Sequence, residues 1–302
     1  MNNAFYNIAD DILPYKNCSP FLINQLHQSN KKSLVEKLQN NNFSTSMLDH
    51  VNEISKDNYT CKYYDHSNID RLVKSHHESA LKVIHLNCSS IVKHGLDLVG
   101  YLAHLQVNFD IVMLTETRQT TTGIIKSFFP NYDIYLENPV TPKGGACILV
   151  AKNKFKNVQL ITDNTFNLKN QCKCRNCEID NVWVSLEIET KTIVLGCIYR
   201  HPKGEIGISH FTENLNELMQ NLDENTTTII SGDFNINLIN TLNKYVEEYT
   251  NIVLQNSFIP CISIPSRITH HSASIIDHIL LKNTKKSHTH QSFSRQFNSR
   301  YI

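Results

Sequence analysis

Several apolar runs in this chain end in a residue that carries an acid, an amide or a phenol. Asn87 closes Val83-Ile84-His85-Leu86, and Glu116 follows the run DIVMLT at 110–115. Tyr199 and Arg200 end the run at 192–199. Asp233 and Asn235 follow 227–230 in Gly232-Asp233-Phe234-Asn235, and Asp277 sits in Ser274-Ile275-Ile276-Asp277-His278. Strand ends are where α/β sheets present their sites. The carboxylates of Glu116, Asp233 and Asp277, gathered at one rim, would repel one another unless a cation joined them, and hard oxygen donors suit Mg²⁺ or Mn²⁺. Metal-assisted attack of water on a phosphodiester needs such a set: an acid to hold the metal, a base for the water, and donors for the phosphate oxygens. Taken singly, each residue has a plainer reading. Asp233 and Asn235 suit a turn that bonds its own backbone, Glu116 a solvated strand end, Tyr199 a core phenol, and Asp277 a local cap. Their recurrence along the chain is what points to chemistry.

The elements that must position these residues follow from hydrophobic periodicity. The short β-branched run at 83–86 reads as a buried strand. Val92, Leu96, Val99 and Ala103, with Leu98, Leu102 and Leu105 beside them, recur at helical spacing, and 110–115 reads as a second buried strand. This βαβ-like opening favours an α/β class. Further strands are expected at 132–136, 146–151, 182–188, 192–199, 227–230 and 275–281, with helices over 208–222 and 245–254 and a turn at Ser231-Gly232-Asp233. Long runs of strands interrupted by a few helices suggest two layered sheets rather than one doubly wound sheet.

Composition bounds the rest. The 302 residues suffice for a sizeable core. Lysine plus arginine (29) nearly cancel aspartate plus glutamate (28), so the whole chain carries no basic footprint for nucleic acid and any such surface must be local. Residues 1–80 form a polar extension rich in Asn, Ser, Lys and His, 81–282 the folded domain, and 283–302 a polar tail. The start lacks a basic and an apolar region of the secretory kind, and no run approaches a membrane span. Nine cysteines, an odd count, fit reduced thiols in an intracellular, nuclear or cytoplasmic, non-secreted protein. Cys172, Cys174 and Cys177 have zinc-like spacing in part but lack an evident fourth ligand nearby, so the segment reads as a loop of free thiols with a metal clip as its rival.

The motifs together resemble the endonuclease/exonuclease/phosphatase (DNase-I-like) superfamily. They look most like the endonuclease domain of non-LTR (LINE-type) retrotransposon replicase proteins. The matching pieces are Ile84-His85-Leu86-Asn87, Leu114-Thr115-Glu116-Thr117, Gly144-Gly145-Ala146, Cys177-Glu178 before Val182-Trp183-Val184, Ile198-Tyr199-Arg200-His201-Pro202, Gly232-Asp233-Phe234-Asn235, Pro265-Ser266-Arg267-Ile268-Thr269 and Ser274-Ile275-Ile276-Asp277-His278-Ile279, in the family's order. The resemblance implies a four-layer α/β sandwich, two packed β-sheets flanked by helices. It implies that Glu116, helped by Asn87, ligates Mg²⁺ or Mn²⁺, that Asp233 takes the proton of the attacking water, and that Asn235 orients that water. Tyr199 would donate to the scissile phosphate, Asp277 would complete the acidic rim, and Arg200 and Thr269 would touch the nucleic-acid backbone. The implied partner is DNA, with a reverse transcriptase downstream in a full-length parent and no membrane.

One departure stands beside these matches. The family closes with a Ser-Asp-His motif on a last core strand beyond the position of Asp277, and this sequence carries none there. His288 and His290 lie in that region without the Asp-His pairing. The reading from sequence is therefore a sandwich lacking its last strand. Two alternatives to a DNA endonuclease stay open: a weak or inactive remnant that keeps the fold and binds nucleic acid, and a phosphatase of the same superfamily.

Overall fold

The computed structural model describes residues 81–139, 141–168, 179–202, 205–268 and 272–282. The expectations for 1–80, for Cys172, Cys174 and Cys177, for Thr269, and for 283–302 with His288 and His290 lie outside these residues.

Strands β1 (Val83–Asn87) and β2 (Ile111–Thr115) are buried at every position and pair in parallel, Val83 opposite Ile111 through Asn87 opposite Thr115. Helix α1 (Ile91–His104) joins them, so the βαβ opening is as expected. Its orientation is not. Val92 and Leu96 are 53 % and 77 % exposed, while Ile91, His94, Gly95 and Leu98 face inward. The reason is close packing at Gly95, where a Cβ would lie 2.6 Å from the Phe128 ring of helix α2 (Thr122–Phe128). A methyl there would collide, so the stripe through the glycine seats the helix even though a neighbouring stripe is more apolar. Complete burial of Ile91 and Leu98 contributes about 1.5–3 kcal/mol each.

Strands β3 (Tyr132–Glu137) and β4 (Ala146–Ala151) complete a four-stranded sheet of order β1-β2-β4-β3. A second sheet has the order β5-β6-β7-β8-β12-β9. Its members are β5 (Lys156–Leu160), β6 (Ile179–Ile188), β7 (Lys191–Arg200), β8 (Thr227–Asp233), β9 (Ile259–Pro260) and β12 (Asp277–Lys282). A short ribbon, β10 (Arg267–Ile268) with β11 (Ala273–Ser274), precedes β12. The sheets face each other, with β1 and β2 over β7 and β8 and with β4 over β6 and β7. Helices α1 and α2 pack together and α2 leans on β3. Helices α3 (Glu205–Asn221) and α4 (Lys244–Gln255) pack together on the far side, where Phe211, Phe234 and Tyr249 meet ring to ring. Among the described residues the result is a mixed α/β sandwich of two main sheets and four α-helices.

The expected turn at Ser231-Gly232-Asp233 is a continuation of β8. These residues pair with Cys197, Ile198 and Tyr199 of β7 on one side and with Ile279, His278 and Asp277 of β12 on the other. A Cβ at Gly232 would sit 1.7 Å from the Ile198 carbonyl, so glycine is what lets the ladder close here. Asp233 thus projects from the end of a central strand held on both edges, a stiffer mount than a turn.

Candidate active site

Register places the chemistry. Tyr199 lies opposite Asp233, Asp233 opposite Asp277, and Asp180 opposite Tyr199. Residues directly opposite one another point to the same face, so Asp180, Tyr199, Asp233 and Asp277 form one row across β6, β7, β8 and β12. Asn87 and Glu116 come from the other sheet, at the ends of β1 and β2. The Asn87 amide joins the two: Nδ2 donates to Glu116 Oε1 and to Asp233 Oδ2, each at 2.9 Å. The Tyr199 phenol lies beside Glu116 and Asp233, whose charges act on it. Six residues expected from sequence, Asn87, Glu116, Tyr199, Asp233, Asn235 and Asp277, therefore meet at one rim.

Two of them sit in a backbone conformation that side chains rarely adopt, Glu116 at φ 53° and Asn235 at φ 50°. Such strain persists where the surroundings enforce it, and here the enforcing contacts are visible. The Asn235 N–H donates to Asp233 Oδ1 at 3.1 Å, and its Nδ2 donates to the Arg200 carbonyl at 2.8 Å. Arg200 answers with Nε to the Phe234 carbonyl at 2.6 Å and Nη2 to the Asn235 carbonyl at 2.8 Å. Arg200 is only 3 % exposed, and the bonds of its guanidinium brace the Asp233–Asn235 loop from behind. From beneath, His278 stacks on Phe234 with centroids 4.8 Å apart. Its Nε2 donates to the Ile236 and Ile275 carbonyls at 3.0 and 3.2 Å, and Nδ1 accepts from the Tyr249 hydroxyl at 2.8 Å. These partners specify the neutral Nε2–H tautomer, and burial holds its pKa down at about 4.

The electrostatics are those of acids crowded out of water. Burial, then Asp277 and Glu116, push Asp233 well above the ordinary carboxylate range, against the hydrogen bonds from Asn87 and Asn235. Burial raises Asp277 to about 7 despite a hydrogen bond from Ser266 and the charge of Arg267. Tyr199 is pushed up by burial and by Glu116, Asp233 and Asp180, so it stays protonated and able to donate. Clustered, perturbed acids of this kind mark functional sites more often than structural ones.

Further residues belong to this network and escape a strand-by-strand reading of the sequence. Asp180, 2 % exposed, accepts the Gly145 N–H at 2.8 Å. Gly144 leaves room for that carboxylate, since a Cβ there would lie 1.9 Å from Asp180 Oδ2, and the Gly144 carbonyl in turn accepts the Arg118 N–H at 2.8 Å. Asp180 thus steadies the loop that carries Glu116. Counting back equally from the tight turn between β6 and β7 sets Asp180 opposite Tyr199, a signal that a strand begun at Val182 misses. Ser266 Oγ donates to Asp277 Oδ2 at 2.9 Å, and His85 bonds Thr115 Oγ1 at 3.1 Å with Nδ1 3.8 Å from Asp277 Oδ1. Burial drops His85 to a pKa of about 3, so this imidazole is a neutral polar strut between the sheets.

Among the described residues, no three of His, Cys, Asp and Glu stand close enough to enclose a cation. The donor set still fits Mg²⁺, which keeps several waters and is held through one or two carboxylates plus substrate phosphates rather than in an all-protein cage. Glu116, with Asn87 orienting it, supplies such a carboxylate at the open rim.

Neither the known family models nor the curated proteins give a match to this sequence. Solved structures do. A humanized D. rerio TDP2 matches with a TM-score of 0.53 at 16 % identity, covering 70 % of this chain and 86 % of that one. The likeness is one of fold, the two-sheet α/β sandwich. The endonuclease domain of TRAS1, a telomere-specific non-LTR retrotransposon, gives 0.48 at 13 % identity over 67 % of this chain and 84 % of its own. An AP endonuclease from Archaeoglobus fulgidus gives 0.48 at 15 % over 67 % and 86 %. No helix among the described residues is long and apolar enough to cross a membrane.

Proposed function

We propose that this chain is a divalent-metal-dependent endonuclease that hydrolyses DNA phosphodiester bonds by direct attack of water. The observation that carries this reading is the Asn87 amide shared between Glu116 of one sheet and Asp233 of the other, with Tyr199 alongside. It sets an acid fit for a cation, a base and a phenol donor around one small space. The order and spacing of the strand-end motifs, which resemble those of non-LTR retrotransposon endonucleases, favour DNA as substrate and an intracellular, chromosomal target.

Glu116 and Asn87 would hold Mg²⁺ or Mn²⁺, which when bound would polarise the phosphate and offset charge on the leaving oxygen. Asp233, buried beside Asp277 and Glu116, accepts the proton as the water oxygen bonds phosphorus and the P–O bond to the leaving sugar oxygen breaks. Asn235 has its N–H and Nδ2 engaged with Asp233 and Arg200, which aims its Oδ1 as an acceptor for that water. Tyr199, kept protonated by burial and the acids around it, donates its hydroxyl to a phosphate oxygen. Asp277, raised to about 7, shares the acidic rim and keeps Asp233 basic. Arg200 and His278 keep the Asp233–Asn235 loop still.

Nicking of supercoiled plasmid in Mg²⁺ by the purified chain tests the reading. Asp233→Ala and Glu116→Ala are expected to lower the rate by about 10²–10⁴, the range lost with a general base or an electrostatic partner. Folded protein that hydrolyses a small phosphate monoester but leaves plasmid intact would point to a phosphatase. Folded protein that binds DNA without cutting would point to a binding remnant.

A further inference from the structure

The loops after β1 and β2 hold polar groups that the reaction above does not use. Ser89 (φ 46°), Ser90 (φ 121°), Glu116 (φ 53°) and Arg118 (φ 57°) all occupy positive φ. Backbone of this kind in non-glycine residues gathers where function requires it. Ser90 caps α1, its side chain accepting the Lys93 N–H, and Glu116 serves the cation. Ser89 and Arg118 have no such employment.

Arg118 is half-buried, and its backbone N–H is fixed to the Gly144 carbonyl at 2.8 Å. Among the described residues the guanidinium makes one side-chain hydrogen bond, Nη2 to Ser89 Oγ at 3.4 Å, at the long limit of a hydrogen bond and easily exchanged. Its Nε is buried with no acceptor. No Asp or Glu among the described residues forms an ion pair with it. Buried donors almost always find partners, so an orphaned one asks for an explanation. Position supplies it. The Ser89 N–H donates to Asn87 Oδ1 at 3.1 Å, so the serine that steadies Asn87 is the one on which Arg118 leans. A cationic fork of fixed geometry, suited to bidentate contact with a phosphate, therefore stands beside the Asn87–Glu116 pair. Arg200, the arginine expected to meet the nucleic acid, faces inward on the Asp233–Asn235 loop.

We propose that Arg118, with the Ser89 hydroxyl beside it, grips the non-bridging oxygens of a phosphate next to the one that is cut. The assignment rests on the nuclease reading and deepens it: the substrate is a polymer with a second phosphate for the enzyme to hold. A small phosphate monoester offers no such group.

The test is binding of a fluorescently labelled DNA duplex by anisotropy, in Ca²⁺ and over a range of salt, for the wild-type chain, Arg118→Ala, Arg118→Lys and Ser89→Ala. Arg118→Ala is expected to weaken binding about tenfold and to reduce the salt slope by about one, the signature of one lost phosphate contact. Arg118→Lys keeps the slope and loses part of the affinity, and Ser89→Ala weakens binding about twofold, as for one lost neutral hydrogen bond. Mn²⁺ affinity measured by electron paramagnetic resonance stays at the wild-type value in all three. The proposal is overturned if the wild type nicks plasmid while Arg118→Ala matches its affinity and salt slope, the nuclease reading then surviving alone. It is also overturned if Arg118→Ala and Arg118→Lys lose Mn²⁺ affinity as much as DNA affinity, which makes the residue a brace for Glu116. A folded wild-type chain that neither binds nor nicks DNA removes both readings together.

Discussion

The two ends of the sandwich treat buried acids in opposite ways. At the end where β1 and β2 begin, Asp110 accepts the Lys82 N–H at 2.8 Å and forms an ion pair with Lys154, so its charge is matched by a donor and a cation. At the other end Glu116 and Asp233 share one neutral amide, Asn87, and no lysine or arginine among the described residues forms an ion pair with either. Left-handed backbone occurs at both ends too. Away from the rim it closes turns, as at Gln106 and Asn153, whereas at the rim it falls on Glu116 and Asn235 themselves. A fold that pairs an acid where stability is at stake, and leaves Glu116 and Asp233 without an ion-pair partner where substrate can enter, has set the two ends to different tasks. The crowded end is held together by neighbours that would rather not be charged side by side, which is a cost to the folded state that a bound cation would relieve.

The sharpest way to break this comparison is to titrate the crowded end. Asp277 stands at about 7 in the folded chain against 3.8 in its ordinary state. The folded chain therefore holds a proton that the unfolded chain has released between these values. The stability tied to that proton is present below about pH 4 and is lost as pH rises through about 7. In EDTA, urea unfolding should show the wild type losing on the order of 4 kcal/mol relative to Asp277→Asn between pH 4 and pH 8. Asp233 contributes to the same slope, since the two carboxyls titrate as a pair. Parallel stability curves for wild type and variant would show that holding Asp277 out of water beside the other acids carries no cost, and the contrast between the ends would fail.

The parts of this architecture that were legible in the sequence are those where burial alone decides. β1, β2, β4 and β7 are apolar runs buried on both faces, and each announces itself, as do the acids, amide and phenol at their ends. β5 does not, because Lys156–Leu160 is a mostly polar edge strand in which only Val158 is partly buried. α2 is a single short helix begun by Thr121, whose hydroxyl accepts the Ile124 N–H, with only Ile125 buried. Apolar periodicity is silent over both. The orientation of α1 went wrong for a related reason: close approach at Gly95, a matter of space and not of hydropathy, outweighed the greasier stripe of Val92 and Leu96. At the site, types and order gave the rim residues, but the direction in which Arg200 points depends on where the carbonyls of Phe234 and Asn235 turn. That is set by the left-handed Asn235, which no local pattern reveals.

A smaller effect sharpens what the crowded end is for. Gly144→Ala would bring a methyl group to 1.9 Å from Asp180 Oδ2 and drive the carboxylate off the Gly145 N–H. Asp180→Ala removes the same acceptor. Both are expected to lower Mn²⁺ affinity by about 10- to 100-fold, as the loss of an outer-shell partner does, because the loop held through the Gly144 carbonyl carries Glu116. Asp180→Asn keeps an oxygen for the Gly145 N–H and recovers most of that affinity. Unchanged Mn²⁺ titrations in all three variants would confine Asp180 to a structural role.

The smallest effect belongs to the paired end, and its size is the point. Lys154 is 40 % exposed, so water and salt screen its attraction to Asp110, and an ion pair of this kind contributes about 0–1 kcal/mol. The hydrogen bond from the Lys82 N–H to the nearly buried Asp110 carboxylate is the larger share, since losing it strands a backbone donor at about 1–3 kcal/mol. Asp110→Ala should therefore lower the unfolding free energy by roughly 1–3 kcal/mol, while Asp110→Asn, which keeps an acceptor oxygen but no charge, should lie within about 1 kcal/mol of wild type. Neither should alter nicking per folded molecule or Mn²⁺ affinity, because Asp110 lies at the start of β2, the length of the strand away from the rim. If Asp110→Asn proves as damaging as Asp110→Ala, the charge itself is what matters at this end. The contrast would then be between a matched charge and an unmatched one, in place of a satisfied hydrogen bond and a crowded acid.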